Sequence, residues 1–150
     1  MTRHEDFQNT HQFFKDLLGD RCVVDEEILN EYGHDETEDI LVLPQVLLIP
    51  KKVEEISLIM RYCNEKGIPV TPCGARTGLS GGAIPLANGI LVSMEKFNKI
   101  LEIDENNSQV TTEPGVITQV LQDAVKEKGL FYPPDPASKG SCFIGGNVSE

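Results

Sequence analysis

GIPVTPCGARTGLSGG, residues 67–82, is the segment from which this chain is best read. It opens on a short apolar run of strand character, residues 68–71, then breaks into a loop with glycine at positions 74, 78, 81 and 82. Glycine tolerates positive φ and lets a backbone approach a ligand closely. Successive N–H groups in such a loop can form a concave nest for an anion. Thr77 and Ser80 add hydroxyl donors. The wider window 67–94 holds 28 residues, six of them glycine, with Arg76 as its one basic side chain and no Asp or Glu. The whole chain carries 24 acidic against 13 basic residues, a net charge of −11. A phosphate would be repelled over most of this surface, but not here. The loop is not a Walker A sequence, because no Lys-Ser/Thr follows the glycines, and it is not GxGxxG. Ala83-Ile-Pro85 leads into another strand, so a helix dipole is not the source of attraction. Taken alone, the segment suits a flexible surface loop as well as an anion nest.

Upstream, Val53, Ile56, Ile59, Met60 and Cys63 fall on one stripe and predict a helix over 53–66, with Gly67 in the left-handed position that ends it. Residues 46–49, between Pro44 and Pro50, read as a buried strand. Strand, helix and strand within this length form a βαβ crossover, which predicts a parallel pair. Downstream, residues 89–93 read as a strand, and 100–103 and 109–112 flank a polar turn as a hairpin. Ile117, Val120, Leu121, Ala124 and Val125 mark a second amphipathic helix, ended by Gly129 and followed by a third apolar run at 130–132. At the N-terminus, Phe7, Phe13, Phe14, Leu17 and Leu18 recur at helical spacing and Gly19 is a stop. The acid-rich stretch 25–40 reads as solvated, its His34, Asp35, Glu36, Glu38 and Asp39 as a surface loop rather than a metal cluster. The fold class is α+β. The two helix ends, Asn64-Glu-Lys-Gly-Ile-Pro69 and Lys126-Glu-Lys-Gly-Leu-Phe131, echo one another. Shared helix-stop chemistry explains this, and so would two similar αβ units lining one site.

A length of 150 residues with 39% hydrophobic side chains suits one globular domain, and with no Trp and 6% aromatics its core must be mostly aliphatic. The acidic balance argues against a nucleic-acid partner and against docking on an anionic membrane. The sequence shows no signal-peptide pattern and no apolar run of spanning length, so the expected location is the cytoplasm. Cys22, Cys63, Cys73 and Cys142 are scattered without zinc-ligand spacing and are expected to be reduced.

The loop PCGARTGLSGGAIP, residues 72–85, resembles the pyrophosphate loop of the FAD-linked oxidases of the p-cresol methylhydroxylase / vanillyl-alcohol oxidase superfamily. It is most similar to the branch containing the glycolate oxidase flavoprotein subunit and D-lactate dehydrogenase. Other segments agree in family order: Tyr32-Gly-His-Asp35-Glu-Thr37, Leu48-Ile-Pro-Lys-Lys-Val-Glu-Glu-Ile56, Glu113-Pro-Gly-Val116, Tyr132-Pro-Pro-Asp-Pro-Ala-Ser138 and Ile144-Gly-Gly-Asn147. The similarity spans about residues 30 to 150, and several motifs in order are far more specific than any one of them. It implies the first subdomain of a p-cresol methylhydroxylase-type FAD-binding fold, a small parallel βαβ sheet with flanking helices, plus the start of a second subdomain. Residues 1–40 then form an N-terminal helical segment and 41–150 the N-terminal part of the FAD-binding domain.

The same resemblance implies that Gly74, Arg76, Thr77, Gly78, Leu79, Ser80, Gly81 and Gly82 hold the pyrophosphate of FAD. Pro114, Gly115 and Val116 would line the cofactor, Pro134, Asp135 and Ser138 would approach the flavin and ribityl side, and Gly145, Gly146 and Asn147 would add backbone and amide contacts. Some superfamily members bond FAD covalently through a His in the glycine loop. Here Arg76 falls near that place and the loop has no His, so the expected FAD is non-covalent. Arg76 suits a phosphate partner or a solvated position, Asp135 a turn or an acid/base group, and Cys73 a space-filling or a redox role. The implied activity is oxidation of a 2-hydroxy acid of the glycolate or D-lactate type, with an electron acceptor the residues do not name; the alternatives are a non-catalytic FAD-binding or scaffold module and an FAD-linked oxidase of a different substrate class. Family members run to several hundred residues and this chain stops at Glu150, so it reads as an N-terminal fragment. The catalytic base is expected outside it, and the fragment alone is expected to be inactive, to bind flavin weakly or not at all and to self-associate through exposed apolar surface.

Overall fold

A computed structural model describes residues 3–87 and 89–149, with the side chains of residues 3–7 outside that description, Phe7 among them. Helix α1 (Arg3–Leu18) runs through a 3-10 turn (Gly19–Arg21) into β1 (Cys22–Val23) and α2 (Glu26–Tyr32). Then come β2 (Val46–Leu48), α3 (Val53–Lys66), β3 (Val70–Cys73) and β4 (Ile90–Ser93). The hairpin β5 (Ile100–Asp104) and β6 (Gln109–Thr112) precedes α4 (Thr118–Glu127) and α5 (Ile144–Ser149). Helix α3 starts and stops where the apolar stripe and Gly67 predict, and Gly67 adopts φ 63°.

The first four strands form one sheet in the order β1-β2-β4-β3. Strands β2 and β3 each run parallel to β4, and β1 is antiparallel to β2. The crossover is therefore parallel as expected, but β2 and β3 are not neighbours. Strand β4 lies between them because all four of its residues are buried, which only a central strand with both faces covered can satisfy.

Strand periodicity divides the core. On one face Phe14 and Leu18 of α1 and Ile59 and Cys63 of α3 pack on Val46, Leu48, Ile90 and Val92. On the other, Leu29 of α2 meets Leu47, Leu91 and Cys73. The Phe13 and Tyr62 rings stack at 4.0 Å, tying α1 to α3. The segment before residue 40 thus shares one core with the sheet, and the change in composition there is not a break in packing. A second cluster, Val116, Leu121, Val125 and Ile144, is covered by Ile100, Ile103 and Val110 of the hairpin. The apolar run 130–132 forms no strand. Leu130 and Tyr132 pack against this second cluster, whereas Phe131 points out and is 84% exposed.

One ion pair clamps the N-terminal end of α3. Arg21 donates from both terminal nitrogens to the two Glu55 oxygens at 2.8 Å, and Arg21 also donates to the Ile49 carbonyl at 3.0 Å. Glu55 accepts the backbone N–H groups of Lys51 and Lys52 at 2.7 and 3.3 Å. The Arg21 hydrogen bond is the main reason that the Glu55 carboxyl titrates near about 2 rather than in its usual range, against the opposing effect of burial. A carboxyl depressed on folding stabilises above its unfolded value, and that stability is lost as pH falls toward the folded value. Thermal melts between pH 5 and pH 2 should therefore drop steeply, and Glu55→Gln should flatten that drop while lowering the melting temperature at pH 7.

Candidate functional site

A cavity of about 630 Å³ opens where β3 and β4 end. In open sheets of this kind ligands sit beyond the carboxyl ends of the parallel strands. One wall is the glycine loop that follows β3, from Gly74 to Gly78 with Ser80, Gly82 and Ala83, together with Met94 just past β4. The other wall comes from residues flanking the second cluster in sequence: Pro114, Ser138, Cys142, Phe143, Gly145, Gly146 and Asn147. Glycine is required within the second wall, where a Cβ on Gly145 would lie 2.6 Å from Pro114 Cβ; across the walls, Gly74 faces the Phe143 ring at ordinary van der Waals distance.

The loop has no regular structure, as the sequence predicts, and its amides are largely left open. Among the described residues the Gly74, Ala75, Arg76, Thr77, Gly78, Leu79 and Gly82 N–H groups take no part in backbone pairing. Gly81 is different, because its N–H donates to Thr37 Oγ1 at 2.8 Å. Residues 74–78 are half-buried and Leu79 and Gly82 exposed, and in an acid-free loop of open amides an anion is a partner that fits.

The Tyr32-to-Thr37 motif turns out to be the support of this loop. Thr37 holds Gly81, and the Glu36 N–H donates to the Gly78 carbonyl at 3.0 Å. Tyr32 donates to Glu95 Oε2 at 2.7 Å, and the Arg76 guanidinium lies over the Tyr32 ring at 3.8 Å. Burial first, then the Glu95 hydrogen bond, pushes the Tyr32 hydroxyl up to about 12, so it stays a donor at any physiological pH. Burial works against the Glu95 charge, but hydrogen bonds from Tyr32 and Lys96 hold its carboxyl below the usual range.

Arg76 thus lays one face of its guanidinium on Tyr32 while lining the cavity. Its backbone sits at φ 59°, a left-handed conformation that costs a non-glycine residue on the order of 1 kcal/mol. The stack on Tyr32 offsets that cost. Arg76→Met should lower stability by about 1 kcal/mol and the melting temperature by roughly 2–4 °C.

Other expected positions divide. Gly74, Arg76, Thr77, Gly78, Ser80, Gly82, Pro114, Ser138, Gly145, Gly146 and Asn147 all line the cavity. Leu79 projects outward, 75% exposed. Val116 is buried in the second cluster, and the Gly115 N–H donates to the Phe97 carbonyl at 2.6 Å. The Pro134 carbonyl accepts from Gln122, and Asp135 pairs with Lys139 at 2.7 Å on the surface, which fits a turn role. The Asn147 amide nitrogen donates to Thr118 Oγ1 and Cys142 Sγ at 2.6 and 3.3 Å, fixing the end wall. Gly145, Gly146 and Asn147 lie in the short helix α5, which their glycine content disguised.

The sequence reading missed Cys142 and Asp35 at this site, and left Cys73 open between a space-filling and a redox role. Burial pushes the Cys73 thiol up to about 11, so it fills space and is not a thiolate at neutral pH. Asp35, placed with a solvated acidic loop by its neighbours in sequence, is instead buried and lines the cavity.

The geometry is matched by comparison with known proteins. The model of the FAD binding domain family matches residues 44–150. The chain belongs to this family. Glycolate oxidase subunit GlcD of Bacillus subtilis is 43% identical over 119 residues, which are 79% of this chain and 25% of that protein. D-lactate dehydrogenase of Anaerostipes hadrus is 41% identical over 137 residues, 91% of this chain and 29% of that protein. The FAD-binding domain described here thus spans between a quarter and a third of these relatives' length. Among solved structures, p-cresol methylhydroxylase with substrate bound superposes with a TM-score of 0.74 at 28% identity, over 87% of this chain and 26% of that one. The p-cresol methylhydroxylase-type fold expected from the loop is the fold observed. No described helix is long and apolar enough to cross a membrane.

Proposed function

We propose that this FAD-binding domain serves a flavin-dependent dehydrogenase or oxidase of a 2-hydroxy acid, of the glycolate or D-lactate type. The identity to relatives named for glycolate and D-lactate, 43% and 41%, carries the substrate class. The cavity residues fit FAD. Open amides of Gly74, Thr77, Gly78 and Gly82 suit a diphosphate, and the Ser80 hydroxyl lies in the same wall. Pro114, Ser138, Gly145 and Gly146 would enclose the cofactor from the other side. When bound, the flavin supplies the acceptor for the hydride leaving substrate C2. This chain's own part is to bind the cofactor, orient it and keep water from the diphosphate. The base that takes the hydroxyl proton is not assigned to any residue here.

We read residues 1–40 as an N-terminal segment and 41–150 as the cofactor-binding part, in a cytoplasmic protein with reduced thiols. The four cysteines are free and buried, in keeping with that compartment. Non-covalent attachment follows from a glycine loop that offers no His. Acid precipitation of the flavin-loaded protein should leave the flavin in the supernatant, and a yellow pellet would contradict this. Anaerobic addition of glycolate or D-lactate to the flavin-loaded full-length protein should bleach its visible absorbance. Bleaching by neither, and by no other 2-hydroxy acid, would overturn the substrate class.

A further inference from the structure

Among the described residues lining the cavity Asp35 is the one carboxylate, and it is 6% exposed. Its Oδ1 accepts the Thr37 N–H at 2.9 Å. Its Oδ2 is buried and, among the described residues, the only buried side-chain oxygen or nitrogen without a hydrogen-bond partner. An unpaired buried acceptor costs about 1–3 kcal/mol, more when charged. Such a group persists where a ligand satisfies it. Its setting makes the point sharper. The 34–37 turn is stitched to the glycine loop at Gly78 and Gly81, so Asp35 cannot move away from the anion site without pulling the loop with it. A carboxylate fixed beside a diphosphate nest would repel an anion unless the same ligand also offers it a donor.

We propose that Asp35 accepts a hydrogen bond from a sugar or ribityl hydroxyl flanking the diphosphate of the bound cofactor, and so selects a nucleotide over a bare anion. The proposal rests on the FAD reading above. The hydroxyl donates its hydrogen to Oδ2, Thr37 keeps Oδ1 in place, and the loop amides hold the diphosphate. The ribose on the adenine side and the ribityl chain on the flavin side carry the same donor chemistry at either end of the diphosphate.

The test is an ¹⁵N NMR titration of the full-length protein and of its Asp35→Asn variant with FAD, ADP and inorganic pyrophosphate. Asparagine keeps the Oδ1 contact to Thr37 and the side-chain shape, but places an amide where the acceptor was. Asp35→Asn should weaken FAD about tenfold, the loss of one charge-assisted hydrogen bond. It should leave pyrophosphate unchanged or bound more tightly, because a negative charge has gone and no hydroxyl was involved. An equal loss for ADP places the hydroxyl on the ribose, and an unchanged ADP places it on the ribityl chain. FAD binding equal to or tighter than that of the unsubstituted protein would overturn the role of Asp35 while leaving the cofactor reading intact. Equal weakening of FAD and pyrophosphate would also overturn it, as simple damage to the loop. Failure of the unsubstituted protein to bind FAD at millimolar concentration would remove the cofactor reading itself, and this inference with it.

Discussion

Gly82→Asp is expected to abolish FAD binding while leaving the fold intact. Gly82 lines the cavity, it does not adopt a positive φ, and a Cβ built on it meets nothing within 4 Å. A side chain is therefore tolerated sterically, which separates charge from shape. A carboxylate about 4 Å from a diphosphate costs on the order of 4 kcal/mol at an effective dielectric of ~20, close to a thousandfold in affinity. Gly82→Asn, of the same size, should lose no more than about tenfold. Both should melt within about 2 °C of the unsubstituted protein. The comparison is read by FAD titration alongside thermal melts. Equal losses for the two variants would mean that the loop excludes bulk there and that the missing acids of the 67–94 window are incidental.

The largest effect on stability is expected at Gly89, at the opposite end of β4 from the cavity. A Cβ there would overlap the Pro69 carbonyl oxygen and lie 2.8 Å from Pro69 carbonyl carbon and Cβ. That same carbonyl accepts the Ile90 N–H at 2.9 Å, and the Gly89 carbonyl accepts from Gln45 at 3.0 Å. Relief would break the entry into the β3–β4 ladder or the tie to the start of β2. Gly89→Ala should cost about 3 kcal/mol or more, a large share of a total on the order of 10 kcal/mol. The melting temperature should fall by roughly 6–12 °C. Gly140→Ala, where a Cβ meets nothing within 4 Å, is the matched control and should change little. A Gly89→Ala protein as stable as the control would contradict the close approach of the two strands.

What was legible in the sequence follows the strength of the local signal. Helix α3 could be read to the residue because an apolar stripe and a left-handed glycine agree. The hairpin was legible because a polar turn separates two short β-prone runs. Strand neighbours were not, since local pattern says that β2 and β3 are parallel but not that β4 inserts between them. Helix α5 was hidden because glycine in a helix is a poor local choice, accepted here for the close approach of Gly145 to Pro114.

At the site, the glycine loop announced itself through composition, and most of its residues do line the cavity. Asp35 did not, because its sequence neighbours Glu36, Glu38 and Asp39 are acidic and its burial depends on a turn packed against a loop about 40 residues away. Position in a motif did not reveal that the Val116 side chain packs in the second cluster, or that the Arg76 guanidinium, at the cavity lining, stacks on Tyr32. A free cationic head group was the natural reading only while the aromatic partner was unknown. The Tyr32-to-Thr37 signal was available in the sequence as a motif, but its task, holding the loop from behind, needed the hydrogen bonds to be seen.

The central claim is that the open backbone amides of the glycine loop receive the diphosphate. Amide-resolved NMR of the ¹⁵N-labelled protein during FAD addition tests it most directly. The account predicts that the Gly74, Thr77, Gly78 and Gly82 amide resonances move downfield and saturate together, while Gly81, already bonded to Thr37, moves least. Saturable FAD binding with those four resonances unmoved, or with Gly81 moving most, would contradict it.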